Sequence, residues 1–112
     1  MVEDALSLDS IFHSLADGTR RDILQRVVKR ELTVSEIAAP YDMSLAAISK
    51  HLKILERARL VVKRRRGKYY FVRTSPRALK TAEDYLKHYE TLWNERFDAL
   101  EKYLKESQHG GN

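Results

Sequence analysis

Cysteine is absent, which rules out disulfides, thiolate metal sites and thiol redox sensing. Proline occurs twice and glycine four times, and no internal repeat or low-complexity segment interrupts the chain. No apolar run approaches the ~18 residues of a membrane span, so no membrane partner is expected. The first dozen residues carry Glu3, Asp4 and Asp9 and lack an A-x-A-like cleavage site. No secretory signal is therefore read, and a cytoplasmic location is expected by default. No nucleophile with a base beside it and no glycine-rich phosphate loop can be assembled. The acidic pairs Glu83 with Asp84 and Glu95 with Asp98 read as solvated surface. Neither an enzyme nor a cofactor is expected.

What the chain does have is positive charge gathered in one place. Residues 44–73 hold ten bases (Lys50, Lys53, Arg57, Arg59, Lys63, Arg64, Arg65, Arg66, Lys68, Arg73) against one acid, Glu56, for a net +9. Residues 1–43 carry five bases and eight acids, and residues 74–112 six bases and seven acids. The overall charge of +5 thus arises wholly in the central third, on an otherwise acidic body. That distribution suggests the footprint of a polyanion. With 112 residues, the chain can build one core but not two.

Leu8, Ile11, Phe12 and Leu15 follow the helical period and predict a short helix over Leu8–Ala16. Asp17-Gly18 ends it. Thr19, with Asp22 three residues on, is read as the cap of a second helix whose buried stripe is Ile23, Leu24, Val27 and Val28. Thr33-Val-Ser-Glu36 is a T-x-x-E capping box, and Pro40 keeps the third helix short. Ser44 is read as the cap of a fourth helix, with Ile48, Leu52 and Leu55 inward and Ser49, Lys50 and Lys53 outward. Two helices joined tightly in this way make the helix-turn-helix pattern.

From Leu60 to Arg73 the chain is β-rich on both sides of Arg66-Gly67, which predicts a hairpin tipped there, its Tyr69–Val72 run packing on the helices. Ser75-Pro76 then announces a last helix, expected to run to Glu106. The expected architecture is mainly α with a β-hairpin wing (α+β): a winged helix-turn-helix of five helices and a two-stranded wing, paired as a homodimer. Residues 1–106 form a single domain, divided into the helix-turn-helix (33–57), the wing (60–73) and a long dimerisation helix (76–106). Residues 107–112 are expected to be a flexible tail.

Such an order suits insertion of the fourth helix into a DNA groove while the wing grips neighbouring phosphates. The DNA-facing candidates on that helix are Ser44, Leu45, Ala46, Ala47, Ser49, Lys50, His51 and Lys53. Lys50 suits guanine, Ser49 varied base edges, and Leu45, Ala46 and Ala47 thymine methyls. For His51 two readings stand, a phosphate contact and a structural bond at the helix interface. Thr33 and Ser35, at a helix N-terminus, suit phosphate, as do Arg64, Arg65, Arg66 and Lys68 around the wing glycine. The plain alternative for each is a solvated surface.

The last helix would be ~45 Å long at ~1.5 Å per residue, against a radius of gyration of ~13 Å for a domain of this size. Its surplus apolar surface needs a partner, and a two-fold homodimer is expected. The interface candidates are Leu8, Ile11, Phe12, Tyr85, Tyr89, Leu92, Trp93, Phe97 and Leu100. Its aromatics read mainly as interface core, with a pocket for an apolar effector of unknown identity as the alternative.

Several ordered blocks together resemble the ArsR/SmtB family of winged-helix repressors. They are Leu15-Ala-Asp-Gly-Thr-Arg-Arg-Asp-Ile-Leu24, Leu32-Thr-Val-Ser-Glu-Ile-Ala38, Ile48-Ser-Lys-His-Leu52, Leu55-Glu-Arg-Ala58 and Leu60-Val61. The resemblance implies a homodimeric regulator that blocks transcription by occupying an inverted-repeat operator in double-stranded DNA. Arsenic-sensing members carry two cysteines where Thr33 and Ser35 stand here. Zinc-sensing members need a second histidine on the last helix, and after Asp84 and His88 none follows there. The tail Trp93-Asn-Glu-Arg-Phe-Asp-Ala-Leu-Glu-Lys-Tyr-Leu104, with Ala38-Ala-Pro40 before the turn, resembles the subgroup without metal sites. Gly18 stands where the family has proline, and Arg59 where it has a glycine after the fourth helix. A left-handed turn kept at Arg59 would cost ~1 kcal/mol. The alternative function is a protein-interaction module whose basic face binds an acidic partner.

Overall fold

Five helices and a small antiparallel sheet alternate along the chain in a computed structural model that describes residues 2–110, with side chains from 8 to 108. The order is α1 (Val2–Leu15), α2 (Gly18–Lys29), β1 (Leu32–Thr33), α3 (Val34–Ala38), α4 (Leu45–Arg57), β2 (Val61–Arg66), β3 (Tyr69–Thr74) and α5 (Pro76–Gly110). The sheet order is β1-β3-β2. β2 and β3 form the expected hairpin, in a register that pairs Val61 with Thr74 and Arg66 with Tyr69. Gly67 takes φ 63 in the two-residue connection, a backbone state that glycine reaches without strain.

The sheet has one strand more than the sequence suggests. Leu32 and Thr33 pair with Val72 and Phe71, tying the wing to the start of α3. Two residues are too few to show alternation, and Thr33 is also the cap of α3. Asp17, not Thr19, caps α2: its Oδ2 accepts the Arg20 N–H at 3.0 Å, so the helix starts at Gly18. Val28 falls on the exposed side of α2. α5 continues through residues expected to be a flexible tail, as far as Gly110, while residues 111 and 112 lie outside the described part.

Two compact units divide at Thr81–Ala82. In the first, Ile23, Val27, Ile37, Ile48, Leu52, Leu55, Leu60 and Val72 are buried. Each such side chain contributes about 1.5–3 kcal/mol. Ile11 belongs to this core at 0% exposure, which corrects its assignment to a subunit interface. The helical period gives the stripe, but the deeper part of the stripe packs against the subunit's own helices. Leu8 is half-buried and Phe12 lies at the surface.

The second unit is the remainder of α5. Leu86, Tyr89, Leu92, Trp93, Phe97, Leu100, Tyr103 and Leu104 are all exposed along it. Trp93 and Phe97 stack with ring centroids 5.7 Å apart, while Tyr85 and Tyr89 meet edge-on at 5.2 Å. Ion pairs at i,i+4 join Lys87 to Glu83 and Lys105 to Glu101. Neither a core nor a second layer covers the apolar row within this unit.

Candidate nucleic-acid interface

Reciprocal hydrogen bonds begin α3. Thr33 Oγ1 accepts the Glu36 N–H at 3.1 Å, and Glu36 Oε1 accepts the Thr33 N–H at 2.8 Å. The backbone N–H of Thr33, followed by its hydroxyl, holds the Glu36 carboxyl below its ordinary range. At the other end of α3, the Arg26 guanidinium donates to the carbonyls of Ile37 and Glu36, both at 2.9 Å. The same guanidinium lies 5.5 Å from the Tyr41 ring centre, and the Tyr41 hydroxyl donates to Asp22. Burial first, then the Asp22 carboxylate, raises the Tyr41 phenol pKa. α2 thereby fixes both α3 and the turn into α4.

Ser44 opens α4 as expected, its Oγ accepting the Ala47 N–H at 3.1 Å. Ile48, Leu52 and Leu55 face the core. Ser44, Ala46, Ser49, Lys50 and Lys53 are exposed, Ala47 is half-buried, and Leu45 is 62% exposed.

His51 does not belong to that outward face. Its Nδ1 lies 3.3 Å from Arg20 Nη1 and 3.9 Å from Asp17 Oδ2, which matches the structural bond of the two readings. Arg20 is 8% exposed, and it also donates to the Ser14 carbonyl at 2.7 Å and the His13 carbonyl at 3.1 Å. A guanidinium cannot accept, so a hydrogen bond from Arg20 to His51 needs a lone pair at Nδ1. The cluster joins the end of α1 and the start of α2 to the middle of α4. It lowers the Asp17 pKa, chiefly through the Arg20 N–H.

α4 ends in a Schellman turn: the Leu60 N–H reaches the Leu55 carbonyl at 3.0 Å and the Arg59 N–H the Glu56 carbonyl at 2.9 Å. Arg59 accordingly takes φ 60, so the left-handed turn is kept without glycine.

On the wing, alternate residues point to opposite faces. Lys63 and Arg65 lie 5.1 and 5.9 Å from the Tyr70 ring centre, and Arg65 Nε donates to the Gly67 carbonyl at 3.0 Å. Arg66 is occupied differently, lying 4.0 Å from the Phe71 ring centre and forming an ion pair with Glu31. Tyr69 and Tyr70 are exposed, not packed on the helices as the sequence suggested. Arg64 and Lys68 are exposed as well. The α4 candidates and the wing bases thus all lie within the first unit, with Arg66 paired to Glu31 and His51 set beside Arg20. Sequence reasoning missed the Arg20, Arg26 and Glu31 contacts, whose partners lie 31, 11 and 35 residues away.

A family model described as a helix-turn-helix domain matches residues 15–64. The crystal structure of an ArsR family transcriptional regulator superposes with a TM-score of 0.76 at 32% identity, covering 80% of this chain and 93% of the other. The chain belongs to the ArsR family of winged-helix transcriptional regulators. The HTH-type transcriptional regulator Rv2034 of Mycobacterium tuberculosis is 46% identical over 61 residues, 54% of this chain. The match spans 57% of that relative's length, little more than half. The homodimeric winged helix-turn-helix DNA-binding domain of a Mycobacterium bovis protein superposes with a TM-score of 0.59 at 27% identity, covering 81% and 83% of the two chains. Among the described residues, no group of three or more His, Asp or Glu side chains is placed to hold an ion. No described helix is long and apolar enough to cross a membrane.

Proposed function

We propose that this ArsR-family chain binds double-stranded DNA sequence-specifically as a homodimer, and represses transcription in the cytoplasm by occupying an inverted-repeat operator. The observation that carries the reading is the joint exposure of the α4 outer face and the wing on the segment with net charge +9. In this reading α4 enters the major groove. Lys50 contacts guanine, Ser49 a second base edge, and Leu45, Ala46 and Ala47 approach thymine methyls. Ser44, Lys53, Thr33 and Ser35 hold the adjoining backbone, and Arg64, Arg65 and Lys68 bring the wing onto flanking phosphates.

Residues 44–53 contain no asparagine, glutamine or arginine, so bidentate base reading is scarce. Sequence-dependent DNA shape then carries much of the specificity. The winged helix and the rest of α5 form one domain, with the exposed row from Tyr85 to Leu100, together with Phe12, pairing the subunits. Two-fold pairing sets the half-sites about 34–36 Å apart, one helical turn. No catalytic role is assigned.

Footprinting on the DNA upstream of the chain's own gene, with sedimentation to count subunits, tests this. A protected inverted repeat bound by two chains is expected. Binding that does not distinguish that repeat from random DNA at physiological salt would overturn the reading.

A further inference from the structure

We infer that Tyr70 is a positioning residue of the wing: its ring holds the Arg65 guanidinium ready for a DNA phosphate. The holding is a property of the chain alone, and only its use rests on the DNA-binding reading.

One face of the hairpin runs from the core to the tip. It carries Val61, Lys63 and Arg65 on β2, with Val72 and Tyr70 on β3, because side chains alternate and the register sets Lys63 opposite Val72 and Arg65 opposite Tyr70. Val61 and Val72 are buried, whereas Tyr70 is 45% exposed. Beyond the two valines the face leaves the core, and the Tyr70 ring meets cations instead. Lys63 Nζ lies 5.1 Å and the Arg65 guanidinium 5.9 Å from its centre, both within reach of a cation–π contact. Lys63 Nζ also lies 3.9 Å from Glu56 of α4. Glu56, Lys63, Tyr70 and Arg65 thus form a chain of contacts from the end of α4 to the wing tip.

At the tip, Arg65 keeps donors to spare. Its Nε donates to the Gly67 carbonyl at 3.0 Å. Among the described residues its two terminal amino groups have no hydrogen-bond or ion-pair partner. Arg66 beside it is engaged by Glu31. A guanidinium can lie against a ring and still donate in the plane of its fork, which is what a phosphate takes. An unrestrained arginine gives up rotamer freedom when it binds, and the Tyr70 ring with the Gly67 carbonyl takes that loss beforehand. Lys63, facing Glu56, anchors the ring.

The test compares Tyr70→Phe, which keeps the ring, with Tyr70→Val, which keeps strand propensity and removes the ring. In the full chain without DNA, nuclear Overhauser contacts between the ring at position 70 and the Arg65 side chain are expected in the parent and in Tyr70→Phe. The parent measurement needs no variant to fold. Tyr70→Val should bind operator and random DNA alike about three- to tenfold more weakly, at an unchanged salt slope, since the phosphate contact survives while its preparation does not. Tyr70→Phe should stay within about twofold of the parent, its ring still facing the cations. In an Arg65→Ala chain, Tyr70→Val should change affinity by less than about twofold, whereas a merely structural role would persist there. Missing Overhauser contacts in the parent, parent-like DNA affinity in Tyr70→Val, equal losses in Tyr70→Phe and Tyr70→Val, or an undiminished Tyr70→Val loss without Arg65 would each overturn the inference. A parent that shows the contacts but binds no DNA refutes the DNA-binding reading and leaves the positioning standing.

Discussion

Nδ1 of His51 lies 3.3 Å from Nη1 of Arg20, so a residue of the DNA-facing helix is tied to the helix that precedes the helix-turn-helix. Arg20 is the better probe of this link, because its buried guanidinium also holds two α1 carbonyls. Arg20→Met leaves those acceptors without their donor. A loss of about 2–3 kcal/mol in urea unfolding is expected. Arg30→Met, which removes only an exposed pair with Glu36, should stay within about 0.5 kcal/mol. Equal losses from the two changes would mean that Arg20 is not a structural tie.

Base reading and phosphate gripping separate by experiment. Lys50→Ala should alter sequence preference, costing about 1–3 kcal/mol at the affected position. Arg65→Ala should weaken all DNA alike and reduce the salt slope by about one. Arg66→Ala should weaken DNA less than Arg65→Ala does, since its guanidinium is engaged by Glu31 and Phe71. Salt titrations on operator and random DNA check all three.

The difference between Arg65 and Arg66 marks the limit of what the sequence discloses. Capping contacts span three residues, so Thr33 with Glu36 and Ser44 with Ala47 are legible in the order of residue types. The apolar period likewise places Ile48, Leu52 and Leu55 inside. The outer face of α4 and the wing hairpin follow from the same patterns. Whether a base is free or taken depends on a partner far along the chain. Glu31 stands 35 residues from Arg66, and no local spacing announces it. The two readings of His51 stay open in the sequence for a related reason, since a side chain on the edge of a helical stripe turns towards whichever neighbour offers a polar partner. Ile11 shows that a stripe can serve one's own core and a partner's with the same residue types.

Acid should act on α3 through Glu36. Its folded-state pKa is lowered by the Thr33 N–H. Its contribution is therefore fully present above the unfolded value near 4.5 and is lost as pH falls through the lower folded value. Glu36→Gln keeps an acceptor for the Thr33 N–H and removes the titration. Thermal unfolding between about pH 3 and pH 7 should show a shallower acid decline in the variant than in the parent. Parallel declines would assign the acid sensitivity elsewhere, with Asp17 the next candidate because its pKa is lowered by the Arg20 N–H.

Arg59 is held at φ 60, where an L side chain is strained. Arg59→Gly should stabilise the chain by about 1 kcal/mol, the left-handed penalty less the entropy glycine loses on folding. Urea midpoints at unchanged slope measure it. A destabilised variant would mean that the arginine side chain makes contacts worth more than the strain.

Trp93 and Phe97 stack on each other yet remain 59% and 58% exposed. Nothing within their own unit covers them, so a partner subunit is the surface expected to do so. In a two-fold interface each residue counts twice, and changing both to alanine removes four aromatic side chains. At about 1.5–3 kcal/mol each, that is about 6–12 kcal/mol, comparable with the whole association energy of a nanomolar dimer at about 12 kcal/mol. Trp93→Ala with Phe97→Ala should therefore sediment as a monomer at micromolar concentration. The buried residues of the first unit include neither aromatic, so its helices and sheet should persist by circular dichroism. Operator binding should fall by several orders of magnitude, because one half-site alone must then supply the affinity. A double variant that remains dimeric would place the subunit contact elsewhere on the chain.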